Sequence, residues 1–202
     1  MIETLLQALT VLEKCLNYDW TAFLCNETLD QQGQTNVPIS WRGIILVPDL
    51  VQHLFNLIST EIHSSASAEI KTKCALCLQH LAYVRHAIFE TQESRFAFLQ
   101  NFMTEITKLI ESHIFEKYVL AERQLFKEVV KIITKLQINF QVRNLYQAGG
   151  EPLFNSYLAA VFKFTTMSYN FKSVSSKSLI FHAGCLNNIW QRIYLESMSA
   201  GL

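Results

Sequence analysis

Charge is scarce in this sequence. Only 17% of its 202 residues are charged, while 50% are hydrophobic; soluble domains carry about a quarter charged residues. So few charges cannot give every helix a solvated face, which suggests a segment whose flanks cover it within a longer protein. An excess of one sign is missing too: 17 basic and 17 acidic residues give a formal net charge of zero. No overall field draws such a chain to nucleic acid or to an anionic membrane, and neither is expected as a partner.

Long apolar runs are also missing. Stretches such as Gly43 to Val47 fall far short of the roughly 18 residues that span a bilayer. The N-terminus, Met1-Ile2-Glu3-Thr4, lacks the basic region and unbroken apolar stretch of a secretory signal. An intracellular, soluble protein is expected. The five cysteines (Cys15, Cys25, Cys74, Cys77, Cys185) are odd in number, in a chain long enough to fold without staples, so reduced thiols are expected. The sequon Asn26-Glu27-Thr28 matters only in a secreted chain.

What is present is helical periodicity. Ile2, Leu5, Leu6, Leu9, Leu12 and Leu16 recur at steps of three and four, which predicts a first helix over about residues 2–18. A polar stretch from Thr21 to Ser40 forms the longest loop. Pro48 suits the first turn of a second helix striped by Val51, Leu54, Phe55, Ile58 and Ile62. Ile70, Cys74, Cys77, Leu78, Leu81 and Val84 mark a third helix; Leu99, Phe102, Met103, Ile106, Leu109 and Ile110 mark a fourth. In the fifth, Phe126, Val129, Val130, Ile133, Leu136 and Phe140 face one way and Arg123, Lys127, Lys131 and Lys135 the other. Gly149-Gly150-Glu151-Pro152 breaks the chain and restarts it as a sixth helix through Phe154, Tyr157, Leu158, Val161 and Phe162. Leu179, Ala183, Leu186, Trp190 and Ile193 predict a seventh, and no segment alternates like a strand.

Leu16, Leu78, Leu136 and Leu186 close the odd-numbered helices, and an aromatic residue stands four positions later in three cases: Trp20, Phe140 and Trp190. Helix pairs recurring at this length predict an all-α, HEAT-like α-solenoid of about seven helices in antiparallel pairs. The approximate repeats are 1–63, 64–112, 113–170 and a partial one at 171–202. A compact seven-helix bundle is the alternative.

Catalytic chemistry finds little support. Cys74-x-x-Cys77 sets two thiols on one helix face, followed by His80, but zinc takes four ligands and no second pair exists. Both cysteines fall on the apolar stripe, where they act as small hydrophobes. The six histidines show no metalloprotease spacing, and Gly149-Gly150 is a turn without a phosphate-binding loop. No enzyme, metal or cofactor is expected. The basic stripe of Arg123, Lys127, Lys131 and Lys135 reads as a solvated face, with an acidic protein surface as its functional alternative. Most aromatics read as core; Trp41, before the second helix, is the exception, a cap on a repeat edge or a contact for a partner.

A succession of elements carries a family likeness: Cys15-Leu16-Asn17-Tyr18-Asp19-Trp20, then Pro38-Ile39-Ser40-Trp41-Arg42 and Leu54-Phe55. It continues through Cys77-Leu78, Leu81-Ala82-Tyr83-Val84-Arg85, Ile88-Phe89 and Phe98-Leu99, and returns at Leu136-Gln137-Ile138-Asn139-Phe140-Gln141-Val142 and Trp190-Gln191-Arg192. In this order they resemble the exportin-seven and Ran-binding-protein-sixteen-like family of karyopherins, in the importin-beta superfamily; the exportin-four branch shares the Ser40-Trp41-Arg42 element. The resemblance implies an internal piece of a far longer HEAT superhelix, a transport receptor that moves protein cargo between nucleus and cytoplasm under control of the GTPase Ran, with nucleoporins as further partners.

On that analogy the second, fourth and sixth helices line the concave face. Gln52, Asn56, Glu105, Lys108, Asn155 and Lys163 become candidate partner contacts, and the basic stripe lies outside. A cut array exposes an apolar end, here Leu186, Trp190 and Ile193, so self-association is expected. The other readings are a helical-repeat scaffold with no transport role, and an orphan helical enzyme or metal protein.

Overall fold

The computed structural model describes residues 2–18, 20, 34–113, 115, 123–169, 187, 190, 191, 193–195 and 198. Its elements are α1 (Ile2–Asn17), the short α2 (Arg42–Ile45), α3 (Pro48–Ser59), α4 (Ser67–Ala82), α5 (Gln92–Glu111), α6 (Arg123–Asn139) and α7 (Val142–Tyr169). Single 3-10 turns at Ile39–Trp41 and His86–Ile88 lead into α2 and follow α4. Among the described residues the only bridge of β type is an isolated one between Thr35 and Val84.

The helices lie in two layers. In one, α4 packs between α1 and α6; in the other, α5 packs between α3 and α7; α3 also packs on α4. Side-chain pairings fix the directions. Gln79 meets Glu128 and the turn after Ala82 meets Asn139, so α4 and α6 run parallel. Gln137 meets Tyr157 and Phe126 meets Phe164, so α6 and α7 run antiparallel. The short α2 aside, every second helix thus joins the same layer, the arrangement of an all-α solenoid.

The scarcity of charge now has a local cause. Because α4 has helices on three sides, Ile70, Cys74, Ala75, Cys77, Leu78, Leu81 and Ala82 are fully buried, each large aliphatic side chain contributing on the order of 1.5–3 kcal/mol. Even its polar residues go inside: Lys71 reaches the carbonyl of Ile58 with its ammonium group, and Gln79 is buried as well. Leu16, Leu78 and Leu136, which recur along the sequence, all sit in the core. Rings pack within one layer, Phe55 on α3 to Phe102 on α5 at 6.0 Å and Phe98 to Phe102 at 4.9 Å, and Phe89 joins the two layers by meeting both Phe98 on α5 and Phe140 at the end of α6.

Local signals set the helix ends. Pro48 opens α3 with no side-chain cap. Thr91 and Ser94 form a reciprocal box at the start of α5, each hydroxyl accepting from the other's backbone N–H, which satisfies donors that a helix start leaves free.

The break expected at Gly149-Gly150 lies inside α7, which starts earlier, at Val142, and turns sharply at Gly150, where φ is +61° and ψ 175°. Leu145 and Ala148, ahead of the kink, are buried and so belong to the same core as the residues after it. The polar stretch Thr21 to Ser40 is not structureless to its end: the backbone of Thr35 pairs with Tyr83 and Arg85 in the turn after α4, and residues 39–45 coil into the 3-10 turn and α2. Most of the predicted seventh helix, including Leu179, Ala183 and Leu186, lies outside the described residues, as does the sequon at Asn26. Trp190 and Ile193 are described, and they dock on the array: Trp190 donates from Nε1 to Thr165 at 3.2 Å and Ile193 is buried. Tyr194, Leu195 and Met198 beyond them are exposed.

Candidate functional site: two polar faces of the array

The candidate concave residues lie on α3, α5 and α7, the three members of one layer, but they are not equivalent. Asn56, Lys108, Asn155 and Lys163 are exposed. Gln52 is half-buried and donates to Asn101, whose own amide donates to the carbonyl of Pro48. This pair ties α3 to α5. Glu105 is buried, with Lys108 from the next turn as its counter-ion at 2.7 Å. A carboxylate so placed needs its partner to offset desolvation, so Lys108 is engaged with Glu105 within α5, Gln52 links α3 to α5, and Asn56, Asn155 and Lys163 are the other exposed candidates.

The basic stripe departs further from its expected role. Only the backbone of Arg123 is described. Lys127, Lys131 and Lys135 are half-buried where α6 leans on α4. Glu128, fully buried, accepts from Lys131 at 3.0 Å, from Gln79 and from Gln124. Lys135 lies 6.0 Å above the Tyr83 ring, and burial, then the neighbouring Lys131, hold its pKa below the usual lysine range. Periodicity alone gave these lysines an open face. The face is partly covered because α6 is flanked by a parallel helix in its own layer, and a helix in such a layer has contacts on more than its apolar stripe.

Cys74 and Cys77 sit in the core, where burial pushes each thiol up to about 12. Cys77 contacts the carbonyl of Leu9 on α1. Thiolates are what bind metal and attack electrophiles, so these two groups pack. Among the described residues, no three His, Cys, Asp or Glu side chains are grouped so as to hold a metal ion, and no helix is long and apolar enough to cross a membrane.

One feature that periodicity did not expose is an aromatic cluster between the end of α1 and the 3-10 turn before α2. Tyr18 and Trp20 meet edge to face at 4.8 Å, and Trp20 meets Trp41 at 5.1 Å. Trp20 anchors to the end of α1 by donating to the carbonyl of Cys15, while its ring and that of Tyr18 stay largely exposed. The sequence signals were Trp41 outside a helical stripe and Trp20 four residues after Leu16; their meeting was not legible.

Two layers of alternating helices with polar links between neighbours define a helical-repeat protein of the α-solenoid, HEAT-like class. Within that class the chain is similar along nearly its whole length to exportins. It is 23% identical over 191 residues, 95% of its length, to exportin-7-A of Xenopus laevis, and 23% identical over 188 residues to Ran-binding protein 17 of Homo sapiens. Ran-binding protein 16 of Drosophila melanogaster is 21% identical over 185 residues. The chain spans 16% of the length of exportin-7-A. No family model and no solved structure matches it.

Proposed function

We propose that this chain is a stretch of a nuclear transport receptor that carries protein cargo between nucleus and cytoplasm in a Ran-GTP-dependent way. The observation that carries the reading is the similarity to exportin-7 and Ran-binding proteins over 92–95% of the chain, on an array whose alternate helices form one continuous layer. Such a protein is non-enzymatic: it binds by shape and distributed polar contacts, shuttles through nuclear pores and meets nucleoporins on the way. The proposed repeats at 1–63, 64–112 and 113–170 each supply one helix to each layer.

Cargo contact falls to the exposed members of the inner layer, Asn56, Lys108, Asn155 and Lys163. Gln52 and Glu105 support that surface from below, and Lys127, Lys131 and Lys135 stabilise the outer layer. The exposed Tyr194, Leu195 and Met198 offer an apolar end through which the isolated chain would self-associate.

The test is a pull-down with the full-length parent protein, comparing Ran loaded with GTP and with GDP. Selective capture of the GTP form supports a transport receptor. Equal or absent capture returns the chain to a helical-repeat interaction scaffold without a transport role.

A further inference from the structure

Three corners of the array meet along one edge. The segment before α2 contributes Gln34 and Thr35, the turn after α4 contributes Tyr83 to His86, and the end of α6 contributes Asn139 and Phe140. The Thr35 N–H donates to the carbonyl of Tyr83 at 2.9 Å, and the Arg85 N–H donates back to the carbonyl of Thr35 at 3.1 Å. From the third corner, the Asn139 amide donates to the carbonyls of Ala82 at 3.3 Å and Val84 at 2.9 Å. Its own oxygen accepts from Gln34 Nε2 at 2.8 Å.

The histidines of the second corner complete the contact. His86 Nε2 donates to the Asn139 carbonyl at 2.9 Å, and its ring lies flat on Phe140, 4.9 Å away and inclined by 17°. His80 Nδ1 lies 3.4 Å from the Thr35 hydroxyl.

The last carbonyls of a helix have no partner within it and are ordinarily met by a cap or by water. Here the carbonyl of Ala82, which ends α4, and that of Val84 beyond it are met by a side chain 55 to 57 residues away. Thr35 and Asn139 are buried, so water cannot replace these bonds without the edge opening. One amide group thus touches all three corners, and each of its bonds presupposes the other two.

We propose that Asn139 is the pin of a conformational clamp that fixes how the three corners sit against one another, and that the clamp opens as a unit without unfolding of the helices behind it. The clamp holds the segment leading into α2 onto the ends of α4 and α6, so it sets the mutual angle of successive helix pairs along this edge. Opening releases Thr35, whose backbone N–H and carbonyl are both paired with the turn after α4.

Amide hydrogen exchange on the 202-residue chain tests this, read at Thr35 and Arg85 on the seam and at Ile106 and Leu109 in α5. Asn139→Ala is expected to speed exchange at both seam amides by about tenfold or more while leaving the α5 amides unchanged. Gln34→Ala, which removes one bond from a half-buried side chain, is expected to shift the same two amides in the same direction by less. Equal acceleration in α5 would make Asn139 a general stabiliser and overturn the clamp; so would seam amides that respond to neither variant. Gln34→Ala decides the matter if Asn139→Ala fails to fold.

Discussion

Gln79 on α4 donates its amide to the buried carboxylate of Glu128 on α6, and the same nitrogen lies 3.3 Å from the Glu128 backbone carbonyl. Both side chains are nearly inaccessible, and the charge of Glu128 is balanced by Lys131 one turn on. The two parallel helices α4 and α6 are therefore keyed by a polar link inside an otherwise apolar contact.

Removing one partner of such a link leaves the other desolvated. Gln79→Leu is expected to lower stability by about 1–3 kcal/mol. Gln79→Glu should cost more, since it sets two carboxylates together. Urea unfolding followed by circular dichroism checks the order; should Gln79→Leu prove as stable as the parent, the link contributes nothing net.

The kink in α7 makes a sharper demand on sequence. At φ +61° and ψ 175° Gly150 occupies a region essentially confined to glycine, so Gly150→Ala is expected to cost about 1–3 kcal/mol. At Gly149 a new Cβ would stand 2.9 Å from the terminal methyl of Met103 and 3.3 Å from Leu153. The Met103 methyl ends a flexible chain and can move, so Gly149→Ala should cost less than Gly150→Ala, within about 1 kcal/mol. Thermal unfolding of the two single variants compares them directly.

Acid should loosen the seam. Burial is the main cause holding His80 below the usual histidine pKa, with Lys135 adding to it and Glu13 opposing; burial also lowers His86, where the Asn139 carbonyl opposes and Arg95 adds. A folded-state pKa below the unfolded value means the unfolded chain binds more protons, so this contribution is fully present above about pH 6.5 and is lost as pH falls through the folded pKa values. Unfolding midpoints should fall between pH 7.5 and pH 5.5, and by less in the double variant His80→Gln, His86→Gln. Equal pH slopes would remove the histidines from the explanation.

Cys74 and Cys77 should resist thiol reagents in the native state. With their thiols pushed up to about 12, the thiolate fraction at pH 8 is minute and access is closed. Mass-spectrometric mapping after iodoacetamide treatment should find both unmodified in native protein and both modified in urea. Cys74→Ala is expected to cost about 1–2 kcal/mol through lost packing, with no change in zinc content.

The folding class was legible from sequence because the hydrophobic effect leaves a period: a helix buried on one side must place apolar residues at steps of three and four. Leu16, Leu78, Leu136 and the Val129–Ile133 stripe were assigned to the core on that ground and lie in it. Pro48 and Gly150 announced a start and a break because their backbones admit few alternatives. The same periodicity did not register that Lys127, Lys131 and Lys135 are half-buried, since it describes one helix at a time and cannot see a neighbour that covers part of the polar side. It was equally silent on Asn139: a buried amide bonded to backbone carbonyls more than fifty residues away leaves no local pattern, because its partners are main-chain groups that every residue has. Sequence determined where most of the long helices run and which side of each seeks the core. Only the tertiary structure decided which helices became neighbours, and with that which polar groups were desolvated and forced to pair.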